Sequence, residues 1–272
     1  MPHWTPENLS SQQGKTFLIT GANSGLGYWS TLHLARTGAQ VIMACRNLDK
    51  AKSARANILR QCPGIAAEQL TLVAMDLADL NSVSTAAKHL LEKAEPLDGL
   101  LNNAGVMALP YKKTAQGFEM QLGTNHLGHF ALSAQLFPLL EKAKAARIVT
   151  VSSIYHRRGS IDFDNLQGEI HYQKWAAYAR SKLANVLFML ELQRRLKENK
   201  SPVESFGAHP GYAATNLQSA GPRAENTWWK QKLMELANGV FAQSAEQGAY
   251  QQIFALTEPN IVGGSFWGPN GF

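Results

Sequence analysis

A chain of 272 residues, 45% hydrophobic and 17% charged, has the composition of a globular protein with a sizeable core, which excludes a disordered or fibrous chain. The formal net charge of +6 comes from Lys and Arg spread along the sequence with no basic block. No helix, zinc or aromatic recognition signature accompanies it, so it reads as a solvated surface and no nucleic-acid partner is expected.

No apolar run is long enough to span a bilayer, and the start "MPHWTPENLSSQQGK" lacks the charged-then-apolar layout of a secretory signal. No transmembrane segment and a cytoplasmic setting are therefore expected. Cys45 and Cys62 read as two reduced thiols rather than a disulfide.

In chain order, the apolar run "KTFLIT" ends at "GANSGLG", then come the helical pattern "YWSTLHLARTG" and a second run, "QVIMAC". The alternation continues with helix "LDKAKSARANILRQ", strand "LTLVAMD", helix "LNSVSTAAKHLLEKA", strand "LDGLLNNAG" and helix "FEMQLGTNHLGHFALSAQLFPLLEK". Strand "RIVTVSS", helix "AAYARSKLANVLFMLELQRRLKE" and strand "VESFGAHPG" complete the series. Unbroken apolar strands alternating with long helices predict a doubly wound parallel sheet in a three-layer α/β/α arrangement, with residues 1–272 forming a single domain. Beyond Gly211 the regularity weakens. Residues 211–245 mix loop signals with an apolar helix carrying Trp228, Trp229, Leu233, Met234 and Leu236, and are expected to cover a substrate or pack as a core helix. "GGSFWG" reads as a late strand.

Gly21, Gly25 and Gly27 lie between the first strand and the first helix. Glycines there allow a tight turn, while the helix N-terminus offers free N–H groups and partial positive charge to a pyrophosphate. Their spacing is G-x-x-x-G-x-G, but the position at the head of a run of βα units predicts the Rossmann type of nucleotide site. Nineteen residues past Gly27, at the end of the second strand, stands Arg46. A carboxylate there would bind the ribose 2′-hydroxyl of NAD, whereas arginine pairs with the 2′-phosphate of NADP, so NADP(H) is the expected cofactor. Asp76, ending the third strand in "MDLADL", is placed either to meet an adenine amino group or to cap the next helix. "NNAG", Asn102 to Gly105, ends the fourth strand, where small residues let a nucleotide lie against the backbone.

Tyr178 and Lys182 are four residues apart in a helical pattern and so share a face. A phenol with pKa near ~10 is a poor base at neutral pH, and a nearby ammonium lowers that value. The pair is then a candidate general acid or base.

The ordered motifs "TGANSGLG", "NNAG", "NHLGHF", "VSS", "YARSK" and "HPGYAAT" resemble the short-chain dehydrogenase/reductase family over nearly the whole chain. "ACRN", "NHLGHF", "SKLANVLF" and the long segment between Ser153 and Tyr178 are similar to the branch containing retinol dehydrogenases and WW-domain oxidoreductases. The resemblance implies a catalytic set of Asn125, Ser153, Tyr178 and Lys182. Tyr178 would exchange the proton, Lys182 would lower its pKa and hold the nicotinamide ribose, Ser153 would bind the substrate oxygen, and Asn125 would hold a relay water. Ser152 is the alternative to Ser153, but only Ser153 has the 25-residue spacing to Tyr178 of this branch. The cofactor set implied is Gly21, Asn23, Ser24, Gly25, Leu26, Gly27, Arg46, Asp76, Leu77, Asn103, Ala104, Gly105, Tyr178, Lys182, Pro210, Gly211 and Thr215.

The insertion from His156 to Trp175 is expected to rim the pocket. His209 is assigned to packing or a hydrogen bond. His126 and His129, at helical spacing, have no evident third ligand, so no metal site is expected. Trp29 either fills a local gap or is buried in an interface. The N-terminus lacks the anchor of many retinol dehydrogenases, and the ending "FWGPNGF" is abrupt relative to many relatives. Together these readings imply a hydrophobic carbonyl or alcohol as the partner, such as a retinoid, steroid, quinone or long-chain aldehyde. The resemblance also implies homo-oligomer association through the helices "FEMQLGTNHLGHFALSAQ" and "AAYARSKLANVLFML". Alternatives are an NADP(H)-binding sensor or scaffold with little turnover and a protochlorophyllide reductase-like enzyme.

Overall fold

In the computed structural model, residues 4–211 and 244–269 are described. The strands are β1 (Thr16–Thr20), β2 (Gln40–Cys45), β3 (Leu70–Ala74), β4 (Gly99–Asn102), β5 (Arg147–Val151), β6 (Glu204–Ala208) and β7 (Phe266–Trp267). All pair in parallel in the order β3-β2-β1-β4-β5-β6-β7. The chain order reverses where β1 pairs with both β2 and β4, with Phe17 registered on Val41 at one side and Gly99 at the other. Ligands of such sheets bind in the crevice outside the strand carboxyl ends at this switch.

The helices are α1 (Gly25–Arg36), α2 (Leu48–Gln61), α3 (Leu80–Lys93), α4 (Met120–Leu122), α5 (Gly128–Leu140), α6 (Lys174–Glu198) and α7 (Ala245–Thr257). Side chains alternate faces along each strand, so β1 divides its residues between two cores. Phe17 and Ile19 join Leu34, Ile58, Ile253 and Leu256 beneath α1, α2 and α7. Leu18 joins Leu100, Leu132, Leu136, Ile148 and Leu196 beneath α3, α5 and α6. This is the three-layer α/β/α arrangement in one domain, and "GGSFWG" does supply the last strand. The substrate-covering segment, with the five apolar side chains named in it, lies outside the described residues apart from its two ends.

The helix expected to run unbroken through "FEMQLGTNHLGHF" is interrupted. Gly123–Leu127 form a π turn between α4 and α5, a local widening of the kind that often accompanies functional sites. Both cysteines are free thiols. Trp29 stacks on His33 with ring centres 6.0 Å apart and packs against the first core, the local-packing alternative.

The glycine turn is sterically exact at Gly27. A Cβ there would lie 2.5 Å from the Gly21 carbonyl oxygen and 2.7 Å from Asn103 Nδ2, closer than atoms can pack without displacing backbone. Gly27→Ala is therefore expected to cost about 3 kcal/mol by overpacking. Gly64→Ala, where a Cβ meets nothing within 4 Å, should leave the denaturant midpoint within the usual surface-site spread of about 0.5 kcal/mol. Urea unfolding of both variants tests the contrast; equal midpoints would show that the turn relaxes freely.

Candidate active site

The predicted site residues that fall within the described part gather at the carboxyl ends of the strands. The turn after β1 begins with Gly21 at φ +67° and Gly25 at φ +56°, left-handed conformations that favour glycine. Ser24 occupies the N-cap of α1 without a side-chain bond to the helix, leaving the first-turn N–H groups for an anion. Leu26 packs against the first core and Asn23 is partly exposed. The backbone N–H groups of Ala22 and Asn23 are directed at the Cys45 thiol, whose pKa burial pushes up to about 11. Cys45 is thus a protonated, inert support beneath the turn.

Arg46 follows β2 directly, is exposed, and makes no hydrogen bond or ion pair with other described residues. Asp76 follows β3, and its Oδ1 accepts from Ala78 N at 2.9 Å. The helix cap falls to Asp79, whose carboxylate accepts from Asn81 N, which removes the capping alternative for Asp76. Leu77 is buried against the start of α5, where a Cβ on Gly128 would lie 2.5 Å from the Leu77 carbonyl oxygen. Its side chain is core, leaving only backbone to face a ligand.

After β4, Asn103 Nδ2 donates to Thr20 O at 2.8 Å, and the N–H groups of Asn103 and Ala104 both donate to Thr20 Oγ1 at 2.9 Å. Ala104 lies close beneath Gly21, whose Cβ, if present, would sit 3.0 Å from that of Ala104. Gly105 then brings the backbone against the candidate catalytic residues: a Cβ there would sit 3.2 Å from Asn125 Oδ1 and 3.7 Å from Lys182 Nζ. An uncapped helix N-terminus, an exposed guanidinium, a carboxylate and a small-residue wall along one crevice fit a nicotinamide dinucleotide.

Asn125 sits in the π turn with its amide fully used. Its Oδ1 accepts from Val106 N at 2.8 Å, and its Nδ2 donates to Val106 O and Ser181 Oγ, each at 2.9 Å. Ser181 donates to Tyr178 O, so the π turn is joined to α6 beside Tyr178. The Ser153 side chain lies close enough to the Tyr178 hydroxyl to favour its phenolate form. Ser152, by contrast, donates to the Lys182 carbonyl at 2.7 Å.

The electrostatics depart from one expectation. Burial pushes the Tyr178 phenol up to about 12; the Ser153 side chain works against this and the nearby Tyr155 adds to it. Lys182 Nζ lies 5.8 Å from the Tyr178 ring centre and donates to Val151 O at 3.1 Å, so in the protein alone burial outweighs any lowering by the ammonium. Burial also depresses Lys182 to about 8. The phenol is protonated at neutral pH, the state required of a proton donor.

Pro210 and Gly211 form the turn after β6, with Gly211 at φ +66° and Pro269 packed against it. His209 stacks on Phe266 at 5.4 Å and receives Gly211 N–H on Nδ1, the packing and hydrogen-bond role expected of it. Thr215 lies outside the described residues. His126 and His129 belong to no group of three metal-ligating side chains among the described residues.

The sequence reading missed what fastens the insertion. Gln121, fully buried in the lead-in to the π turn, accepts from Ala108 N at 2.8 Å and donates to Tyr172 Oη at 2.9 Å and Lys174 O at 2.8 Å. Tyr172 Oη donates to Leu109 O at 2.8 Å, and Glu119 caps the first turn by accepting from Gln121 N and Leu122 N. The insertion is thus tied to the loop after β4 and to the start of α6. Trp175 at its end stacks on Tyr155, the residue just before it, at 5.2 Å, and both meet the Tyr178 ring edge-on. They line a cleft of about 360 Å³ with Arg158, Ala176 and Ala179. The larger hollow, about 930 Å³, lies between α5 and α6 among Phe130, Phe137, Leu187, Phe188 and Leu192. Neither hollow is lined by Ser153, Tyr178 or Lys182, so cavity size does not locate the candidate site.

A short chain dehydrogenase family model matches residues 15–226. The chain belongs to the short-chain dehydrogenase family. Human retinol dehydrogenase 14 is 41% identical over 260 residues, covering 92% of this chain and 76% of the relative. Human retinol dehydrogenase 11 is 41% identical over 246 residues, covering 90% and 74%. Among solved structures, an uncharacterized protein of Mycobacterium paratuberculosis superposes with a TM-score of 0.78 at 41% identity, covering 98% of this chain and 84% of its own. A Beutenbergia cavernae protein, assigned as an NAD(P)-dependent gluconate 5-dehydrogenase and holding NADP at low occupancy, superposes with a TM-score of 0.71 at 26% identity, covering 95% of this chain and 96% of its own. No described helix is long and apolar enough to cross a membrane.

The buried ammonium makes a prediction about stability. Lys182 falls from an ordinary 10.5 to about 8 on folding, so between those values the unfolded chain binds the extra proton and stability rises with pH. Below pH 8 the penalty is complete, on the order of 3 kcal/mol. Relative to Lys182→Met, the unfolding free energy of the wild type should climb from pH 8 to 10; parallel curves would refute the buried charge.

Proposed function

We propose that the protein is an NADP(H)-dependent oxidoreductase interconverting a carbonyl and an alcohol on a hydrophobic small molecule. The observation that carries the reading is the placing of Asn125 and Lys182 beside Gly105 after β4, with Lys182 bonded to the end of β5 and Tyr178, one turn earlier on α6, close to Ser153. NADPH, when bound, supplies the hydride. The chain's own groups do the rest. Ser153 holds the substrate oxygen and stabilises charge developing there, the protonated Tyr178 phenol gives that oxygen its proton, and Lys182 keeps a cation behind the phenol. Asn125 holds the backbone at Val106.

NADP(H) is favoured over NAD(H) by the exposed Arg46 guanidinium at the end of β2, which suits a 2′-phosphate. A hydrophobic substrate is favoured by the Tyr155–Trp175 wall against Tyr178 and by the naming of the relatives as retinol dehydrogenases.

Purified protein assayed with NADPH against retinoid, steroid, quinone and long-chain aldehydes should show turnover. Tyr178→Phe should lower it by about two to four orders of magnitude while NADPH still binds. Tight NADPH binding without any turnover would instead favour a sensor or scaffold. Arg46→Asp should weaken NADPH much more than NADH, and equal losses would defeat the cofactor assignment.

The α5/α6 groove supports association of two copies of this chain. Phe130, Leu187 and Leu190 are 51%, 47% and 49% exposed, and Phe130 stands 5.5 Å from Phe188 in tilted contact, a continuous apolar face. Light scattering should report a homo-oligomer that Phe130→Glu with Leu187→Glu dissociates while circular dichroism is unchanged. A monomeric wild type would end this reading.

A further inference from the structure

His129 has no task in the chemistry above, yet it is 1% exposed and both ring nitrogens are engaged. Nδ1 lies 3.0 Å from the Asn125 carbonyl oxygen, and Nε2 lies 2.9 Å from Thr20 Oγ1. A carbonyl oxygen only accepts, so the ring proton is on Nδ1. Burial depresses the imidazole pKa to about 3, with the nearby Lys182 and His126 acting in the same direction and the Asn125 bond against it. The ring is therefore neutral and Nε2 is an acceptor.

The Thr20 hydroxyl closes the assignment. Its oxygen already accepts the N–H groups of Asn103 and Ala104 at 2.9 Å, which use both lone pairs. It must donate, and His129 Nε2 at 2.9 Å is nearer than its other acceptor, Leu101 O at 3.3 Å. Protonating Nε2 would put a third donor on that oxygen. One directed chain results: Asn103 and Ala104 N–H to Thr20 Oγ1, Thr20 O–H to His129 Nε2, His129 Nδ1–H to Asn125 O.

The two ends of this chain serve different parts of the site. Asn103 and Ala104 back the glycine turn at Gly21. Asn125 holds Val106 and Ser181, and Ser181 bonds the Tyr178 carbonyl. We propose that His129 is a positioning residue of the hydride-transfer site, its imidazole setting the spacing between the cofactor-facing backbone at Asn103–Ala104 and the π turn that carries Asn125. The functional consequence rests on the oxidoreductase reading; the bonding geometry does not.

The two halves of the ring can be separated. In His129→Asn the side-chain amide stands where Nδ1 stood and keeps the Asn125 bond but not Thr20. In His129→Gln the longer amide reaches Thr20 and gives up Asn125. A lost buried hydrogen bond corresponds to roughly tenfold in an equilibrium or rate. His129→Asn is accordingly expected to weaken NADPH binding, followed by fluorescence, by about tenfold with single-turnover kcat within about threefold. Its amide hydrogen exchange should rise at residues 103–106. His129→Gln should show the converse, with kcat down about tenfold, NADPH affinity within about threefold and faster exchange at residues 124–127.

In the wild-type protein without cofactor, 15N-histidine NMR should show the neutral Nδ1–H tautomer for His129. This measurement decides the case if a variant does not fold. An imidazolium or an Nε2–H tautomer would overturn the proposal, as would parallel changes of affinity and kcat in both variants, or no change in either. A wild type without turnover would sink the oxidoreductase reading, and the tautomer, NADPH affinities and exchange pattern would then judge His129 separately.

Discussion

A fully buried ammonium is the constraint on which the rest of the site depends. Taking Lys182 out of water disfavours its charge, which is why its pKa falls to about 8. It is held by the Val151 carbonyl, which also accepts Asn185 Nδ2, both at 3.1 Å, while Ser152 bonds the Lys182 carbonyl. Three polar contacts thus stitch one face of α6 to the end of β5, and that face carries Tyr178. The long apolar helix is consequently held in rotation and height by a few buried bonds that hydrophobic packing alone, being non-directional, would not specify.

The same economy explains the π turn. Asn125 must reach Val106 on the loop after β4 and Ser181 on α6 with one amide, using both its acceptor and its donor. The widened backbone at Gly123–Leu127 is where that amide leaves the helix. Gly128 immediately after it lets α5 approach the Leu77 carbonyl, so the wide turn and the close approach are neighbouring parts of one arrangement.

Periodicity and position made much of this legible in the sequence. Strand runs, helix patterns and their alternation dictate the parallel sheet, because strands buried on both faces must be apolar throughout. The glycine turn, Arg46 and the Tyr178–Lys182 face were likewise readable, since each follows from local chemistry at a strand end or from helical spacing. What was not legible involves partners far apart in sequence. Gln121 and Tyr172 are ordinary polar residues in their own segments; only folding shows that one amide serves Ala108, Tyr172 and Lys174. The helix through "NHLGHF" gave no sign of a π turn, since its apolar pattern continues past it. The sign of the Tyr178 shift was also hidden, because a spacing of four residues places Lys182 near the ring but says nothing about how deeply both are buried.

The site divides its polar groups into those kept neutral and those kept available. Cys45 is raised and His129 and His209 are lowered by burial, so each stays uncharged near neutral pH and serves as fixed hydrogen-bonding or packing material. Tyr178 is raised for the same reason, with the Ser153 side chain acting against the rise. Desolvation therefore does not by itself distinguish structural from reacting groups in this fold. Connectivity does: His129 spends both nitrogens on the protein, whereas for the Tyr178 phenol the Ser153 side chain is the one hydrogen-bonding group set against its burial.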